Sequence, residues 1–396
     1  MLKMTNVSYG TQAKENTVSG GYNAAFGILS ALAIIMVAAG HLGYNILTVG
    51  DLFPYYSFHV PLFMFISGYF YRQEEQERPL SYIKKKARRL LLPYFFWNLI
   101  YGLLASLLRS WGDFTFGEPV TIKTLFLDPF LHGYQYIYNF AAWFVPVLFL
   151  IEVMNLFMRI VLRAIRLDHE GLILAGTLAV GMAVVWLAIN GHVWGLYKMP
   201  GRILFLYPCF QMGQFYRRKL EVHDRLGNLP YFTIVLGIQI LLNLCCNGLA
   251  YSCVWCTAFA NGPVIPYVTV VSGVAFWLRV SKILAPVCGQ NTAVAYLGRN
   301  TYPVMMHHIM VFMAIKMILA GIAAGTGYLA DFDFTRFYTD IDYCYLVKGS
   351  EAFKMVYLAA GIALPLLLQR GVKGCLSAAG RLRKTGRGEG LLDDGA

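Results

Sequence analysis

The sequence predicts an all-α, polytopic membrane protein with about ten transmembrane helices. Of its 396 residues, 58% are hydrophobic and only 14% are charged, and the mean hydropathy is +0.54. Soluble globular chains carry about 25% charged residues. Long apolar runs also follow one another with short polar breaks, so one integral membrane domain is a simpler interpretation than two soluble domains.

A membrane span needs about 20 predominantly apolar residues. Ten segments meet this criterion, although Pro54 and Pro61 kink or delay the second; they are 24–47, 55–71, 91–108, 140–162, 171–190, 201–217, 229–248, 263–279, 301–323 and 352–370. We predict three regions: a flexible cytoplasmic N-tail (1–23), an integral membrane domain (24–372) and a basic cytoplasmic C-tail (373–396).

Lysine and arginine alternate between the predicted loops. If the N-terminus is cytoplasmic, the inner segments hold 25 of the 33 basic residues and the outer segments hold six. This bias follows the positive-inside rule and predicts that both termini are cytoplasmic. The net charge of +12 therefore indicates topology and not a nucleic-acid partner, because the basic residues do not gather on one amphipathic helix.

The eight cysteines mostly lie in or beside apolar runs, which is typical of small buried side chains. Cys253 and Cys256 form a single CxxC pair, which is weak evidence for zinc without a second pair. We therefore predict no metal. A disulfide remains open if this loop faces an oxidising compartment.

Ionisable side chains inside spans are costly, so each is a candidate for function. The candidates are His41, His59, Arg88, Arg89, Glu152, Arg202, His307 and His308.

His41 follows Asn23 by eighteen residues, about 27 Å along an untilted helix, which places it near the outer side. It has either a structural role, capping a carbonyl, or a role in catalysis or binding. His59 also lies near the outer face, with an interfacial or a functional role. Glu152 must be paired, protonated or exposed to a water-filled cavity.

Arg202 stands at the outer entry of its span, where it either extends to headgroups or binds a ligand. His307 and His308 diverge by about 100° on a helix, so at most one is expected to face a site.

Two predicted loops carry unusual compositions. The inner loop Arg72–Arg89 is the densest basic cluster, suited to anionic membrane lipids or to the phosphates of a cytoplasmic ligand. The outer loop 324–351 mixes four aspartates with aromatic residues. It is either a solvated acidic loop or a surface that holds a sugar ring.

Four stretches resemble the acyltransferase-3 family, particularly its fucose 4-O-acetylase-like branch. They are LAIIMVAAGH (32–41), FHVPLFMFISGY (58–69), KKARRLLLPY (85–94) and LGRNTYPVMMH (297–307), with AWFVPVL (142–148) resembling the fourth-span motif. The resemblance implies transfer of an acyl group, usually acetyl from cytoplasmic acetyl-CoA, to a hydroxyl of a glycan or lipid-linked sugar, and a multi-pass location in the bacterial inner membrane.

The resemblance also implies site residues. His41 falls on the family's first-span histidine, and Arg89 on the arginine before the Leu-Pro-Tyr stretch. Many members carry an arginine where this chain has Ser30, although the fucose-acetylase-like branch commonly lacks it.

We therefore hypothesise that His41 is the general base or a transient acyl carrier. Residues expected to bind the phosphates of acyl-CoA are Lys84, Lys85, Arg88 and Arg89. Residues expected to bind the acceptor or the reacting carbonyl are His59, Trp143, Glu152, Arg202 and His307. A donor held at the inner face must then reach a histidine near the outer side, which requires a tilted first span or a deep water-filled tunnel.

Two other functions remain. A glycan or lipid-linked sugar transporter would use the same intramembrane charges to line a translocation path. A non-catalytic lipid-binding or sensor protein would carry out no acyl transfer.

Overall fold

The computed structural model describes residues 22–43, 51–133 and 135–388, with 376–388 described by their backbone alone. Ten principal helices coincide with the ten predicted spans. They are α1 Ala24–Gly40, α2 His59–Tyr69, α3 Pro79–Trp111, α4 Phe144–Ala164, α5 Glu170–Ile189, α6 Lys198–Phe215, α7 Asn228–Cys245, α8 Ile265–Cys288, α9 Thr301–Thr326 and α10 Phe353–Gly388.

Seven of these helices are long and apolar enough to cross a membrane, namely α3, α4 with its preceding turn, α5, α7, α8, α9 and α10 up to Cys375. The predicted fold class, an all-α polytopic membrane protein, is therefore confirmed. The count of ten crossings and the cytoplasmic side of the termini stay predictions, because α1 and α2 have only 17 and 11 residues.

The ends of four helices differ from the predicted spans. Helix α3 begins at Pro79 and not at residue 91, and helix α8 continues to Cys288, past residue 279. Helix α1 stops at Gly40, because His41 to Gly43 form a turn in which Gly43 adopts a left-handed φ of +56° that glycine tolerates. The remainder of the predicted first span, 44–47, lies outside the described residues. Helix α10 continues to Gly388, past the predicted domain boundary at 372. Residues 1–21 of the predicted N-tail and 389–396 of the predicted C-tail also lie outside the described residues.

Helix α1 is enclosed by other helices. It packs against α2, α8, α9, α10 and the short helix Ala293–Arg299. A helix that is apolar all round has to be buried on all faces, and Ala31, Ala33 and Ala39 are fully buried. The C-terminal end of α1, where His41 lies, is thus inside the protein and not against lipid.

Glycines set the closest helix contact in the described bundle. A Cβ atom on Gly68 of α2 would overlap the carbonyl oxygen of Phe210 in α6, and one on Gly213 of α6 would overlap the carbonyl oxygen of Phe65 in α2. Small residues at membrane helix interfaces allow backbones to approach in this way. The glycine pair therefore fixes α2, and with it one wall of the site, against α6.

A buried polar network joins α4, α5 and α6. The fully buried guanidinium of Arg159 donates to Asp168 at 2.8 Å, to Glu170 at 2.7 Å and to Gln211 at 2.9 Å. The side-chain amide of Gln211 in turn donates to Asn155 at 2.7 Å. Because the charged groups of the network are paired with one another, it holds these three helices together without exposing charge to lipid.

We predict that Gly213→Ala destabilises the protein and that Gly237→Ala, in α7, does not. The added methyl at Gly213 meets main-chain atoms that cannot rotate away, whereas a Cβ at Gly237 meets nothing within 4 Å. Overpacking costs about 1–3 kcal/mol, while Gly→Ala within a helix gains roughly 1 kcal/mol. Apparent Tm of the purified protein in detergent measures both. Equal Tm values for the two variants would contradict the close α2–α6 contact.

Candidate active site

A cavity of about 1050 Å³ runs through the described part of the bundle. Its walls come from α1, α2, α3, α4 and the start of α9, from the segment before α9, and from the loops that flank α2 and precede α8 and α10. The cavity has a basic end, a loop end and a histidine-lined region beside the loop end, which are described in turn.

The basic end carries five cations against two carboxylates, Glu75 and Glu152. The cations are Arg72, Lys85, Lys86, Arg89 and Arg299. The guanidinium of Arg299 lies 4.7 Å from the ring centroid of Tyr22, just before α1 begins. The basic end is therefore at the N-terminal end of α1, opposite His41.

Two ion pairs organise the basic end. Lys86 donates to Glu152 of α4, whose side chain is 4% exposed, and Lys85 donates to Glu75 at 2.9 Å. The second carboxylate oxygen of Glu152 has no hydrogen-bond partner. Glu152 is thus paired with a lysine and also lines the cavity. Both are among the arrangements that we expected for a carboxylate inside a span.

The loop end is built by segments that meet at the C-terminal end of α1. Its lining residues are Tyr56, Ser252, Cys253, Val254, Trp255, Asp342 and Tyr345. The Tyr251 N–H donates to the Tyr56 carbonyl at 3.2 Å, and the Lys354 ammonium donates to the Gly43 carbonyl at 3.4 Å. The first bond joins the loop before α8 to the loop before α2, and the second joins the start of α10 to the turn after α1.

His41 lies beside the loop end of the cavity. It follows the last residue of α1, a helix of about 25 Å, and its partly buried ring lines the cavity. The ring centroid lies 5.7 Å from that of Phe140 and 5.1 Å from that of His308. The same cavity is thus lined by Arg89 and by His41.

Three of the predicted acceptor or carbonyl residues line this cavity: His59, Trp143 and Glu152. The His59 Nδ1–H donates to the Tyr55 carbonyl, which fixes the ring orientation and leaves Nε2 as the acceptor nitrogen. The cavity therefore holds a second oriented imidazole near His41.

Two other predicted residues lie behind the cavity wall. Fully buried Arg202 donates from Nε to the Val254 carbonyl at 2.6 Å, and its guanidinium lies 5.3 Å from the Trp143 ring centroid. Since Val254 and Trp143 line the cavity, Arg202 supports its wall. His307 is bonded to the Tyr101 hydroxyl at 2.7 Å and does not line the cavity.

The four predicted phosphate-binding residues divide into two groups. All four are exposed, but Lys85 and Arg89 line the cavity, whereas Lys84 and Arg88 do not. A π-helical segment, Ala87–Leu91, interrupts α3 here and changes which side chains face inward.

Sequence reasoning named His307 as the site residue, whereas in the structure the His308 ring lies beside His41. The His308 Nδ1–H donates to the Val304 carbonyl at 2.7 Å, and its buried Nε2 has no hydrogen-bond partner. Its ring is the one that lies beside His41. The expectation that only one of the adjacent histidines would face the site was a usable signal, but the helix phase needed to choose between them came from the tertiary structure.

Within the described ranges, no group of three His, Cys, Asp or Glu side chains is arranged to hold a metal ion. All eight cysteines are free, and Cys253 and Cys256 are buried beside the loop end. Ser30 lines the cavity and donates to the Phe26 carbonyl at 2.8 Å.

Comparison with protein families gives one match, to the acyltransferase domain model over residues 23–336. No curated protein and no solved structure matches the chain. The matched range contains α1 to α9 and every cavity-lining residue except Asp342 and Tyr345. Since this is well over half of the chain, the protein belongs to the acyltransferase-3 family and is a membrane-embedded acyltransferase.

Proposed function

We propose that this protein moves an acetyl group from cytoplasmic acetyl-CoA to a hydroxyl of a glycan or lipid-linked sugar, in the bacterial inner membrane. The observation that carries the proposal is the single cavity that joins a cluster of five cations to His41 and continues to an aromatic loop end. Family membership supports acyl transfer over a transporter or a sensor.

The basic end suits the phosphates of the donor. Arg89 can form two parallel hydrogen bonds to a phosphate, and Lys86 and Arg299 add point charges at the same end. Glu75 and Glu152 hold Lys85 and Lys86 in the absence of such a ligand. The pantetheine arm would then extend along α1 toward His41.

His41 is proposed as the general base. Its ring would take the proton of the acceptor hydroxyl while that oxygen bonds to the thioester carbonyl carbon, and would return the proton to the sulfur as the carbon–sulfur bond breaks. In the alternative mechanism, the acetyl group is first transferred to the His41 ring and then to the acceptor hydroxyl. His59 and Trp143, which share the cavity, would shape the space around the carbonyl.

His308 is proposed to position His41. Its own ring is held by the Val304 carbonyl and packs 5.1 Å from the His41 ring, centroid to centroid. A base has to be held close to its productive geometry, because a displacement of about 1 Å costs roughly a hundredfold in rate.

We predict that His41→Ala lowers acetyl transfer by about 10²–10⁴-fold, because a positioned general base contributes that much. Two assays measure this loss of transfer: incorporation of label from radiolabelled acetyl-CoA by the purified protein, and mass spectrometry of cell-surface glycans. The control is His192→Ala, which removes an exposed histidine outside the cavity. Full transfer by His41→Ala would exclude both the base and the acyl-carrier roles.

Arg89→Ala should raise the KM for acetyl-CoA by roughly 10–100-fold, the equivalent of one lost charge-assisted hydrogen bond. Arg88→Ala removes the same side chain one residue earlier, outside the cavity, and should change KM little. With S-acetylpantetheine, which lacks the nucleotide, Arg89→Ala should have no effect on KM. A matching loss with both donors would show that Arg89 does not bind the nucleotide phosphates.

For His308→Phe we expect kcat to fall about tenfold to a hundredfold with little change in the KM for acetyl-CoA, because the base is misplaced while the donor site is intact. His307→Phe is the neighbouring control. Its expected effect is a lower apparent Tm, since the buried Tyr101 hydroxyl loses its partner. A reversed pattern in the two variants would assign the positioning role to His307.

A further inference from the structure

The loop between α9 and α10 brings one carboxylate into the cavity. Among the four aspartates that its sequence carries, only Asp342 lines the cavity in the described structure. Asp333 accepts from the Arg336 N–H at 3.0 Å, and Asp340 pairs with the Arg336 guanidinium at 2.9 Å. The other acidic groups of the loop thus have structural or solvated positions, and Asp342 is the one available to a ligand in the cavity.

Asp342 is held in place by buried groups. Its N–H donates to Asp340 at 2.9 Å, and the preceding carbonyl, that of Ile341, accepts from the buried ammonium of Lys316 in α9. The same ammonium lies 3.8 Å from the ring centroid of Tyr345. These bonds fix the main chain that carries Asp342 before any ligand arrives, which favours binding because less backbone freedom is lost.

Aromatic side chains line the cavity around Asp342. Tyr56 is 42% exposed and packs edge-on against His59, with 5.0 Å between ring centroids. Trp255 is held by Lys198, whose ammonium lies 4.5 Å from its ring centroid. Tyr345 packs against Tyr357, with 5.3 Å between centroids. Rigid aromatic faces with one carboxylate between them match the two faces of a sugar, its apolar C–H surface and its hydroxyl donors.

We propose that Tyr56, Trp255, Tyr345 and Asp342 form a subsite for a neutral pyranose ring, and that Asp342 is its specificity-determining residue. This inference rests on the proposed function, since the ring held here would present its hydroxyl to His41. The Asp342 carboxylate accepts hydrogen bonds from the ring's hydroxyls. An anionic sugar would place a like charge against it, and the nearest cation, Lys316, is turned to the Ile341 carbonyl and the Tyr345 ring.

With this subsite, the two ends of the cavity favour ligands of different charge. Five cations attract the anionic donor at the basic end, whereas the loop end contributes aromatic faces and one negative charge. The donor's phosphates are therefore disfavoured at the acceptor position, and an acceptor without charge is not drawn into the donor position. The two substrates are sorted before they meet at His41.

Binding of matched glycosides to the full chain in nanodiscs tests the subsite. The probes are p-nitrophenyl β-glucoside and p-nitrophenyl β-glucuronide, which differ by one carboxylate, and the method is microscale thermophoresis. We expect the glucuronide to bind about tenfold more weakly, the effect of one like-charge contact in a partly desolvated site. Asp342→Asn should bring the two Kd values to within about threefold of each other, because the repulsion is gone.

Asp331→Asn is the matched control, since it removes the same charge from the same loop at an exposed position outside the cavity. It should leave the ratio of the two Kd values unchanged. The proposal is overturned if neither glycoside binds, if wild-type protein binds both equally, or if both variants change the ratio alike. The apparent Tm of each variant confirms that it is folded.

The pyranose ring can arrive from water or on a lipid, and a second arm separates these sources. Hexadecyl β-glucoside placed in the nanodisc bilayer presents the same ring from the membrane. Competition by it against p-nitrophenyl β-glucoside supports the subsite and assigns a lipid-linked acceptor. Competition by soluble glucosides alone supports the subsite and assigns a water-borne glycan.

Acetyl transfer measured in parallel separates this inference from the proposed function. Discrimination between the glycosides without any His41-dependent transfer would remove the proposed function and leave a sugar-binding site. His41-dependent transfer without discrimination would remove the subsite alone.

Discussion

The structure depends on the absence of water from the bilayer interior, which obliges every buried polar side chain to find a partner in the protein or to face a cavity. Arg159 and Arg202 find partners within the protein and have structural roles. Arg159 joins α4, α5 and α6, and Arg202 lies behind the cavity wall. His41 and His59 face the cavity instead. The same constraint therefore divides the costly residues into those that hold the bundle together and those that make the site.

Packing fixes the walls of the cavity, where our proposal brings two substrates together. Helix α1 is surrounded by other helices, and the glycine contact between α2 and α6 fixes the neighbouring wall. His41 consequently stands at the end of a rigid helix, tied by the bonds that reach Gly43 and Tyr56. Preorganisation of this kind is what a general base needs, because its geometry decides the rate as much as its chemistry does.

The charges of the cavity come from several elements. The positive charge is supplied by α3, by Arg72 in the loop after α2 and by Arg299 before α9. In our proposal these side chains together carry out donor binding. Glu75 and Glu152 keep two of the lysines paired, so the basic end is partly neutralised before a ligand binds.

The sequence by itself determined the class of fold, the positions of the ten helical segments and the identity of His41, His59, Trp143 and Glu152 as intramembrane polar or aromatic candidates. These follow from local properties, since hydropathy and the cost of a buried charge are set by neighbouring residues in the chain. Only the tertiary structure decided that His308 and not His307 faces His41, that Lys85 and Arg89 and not Lys84 and Arg88 line the cavity, and that Asp342 reaches it from a distant loop. These depend on helix rotation, on the π-helical segment Ala87–Leu91 and on contacts between residues far apart in sequence, none of which a local pattern encodes.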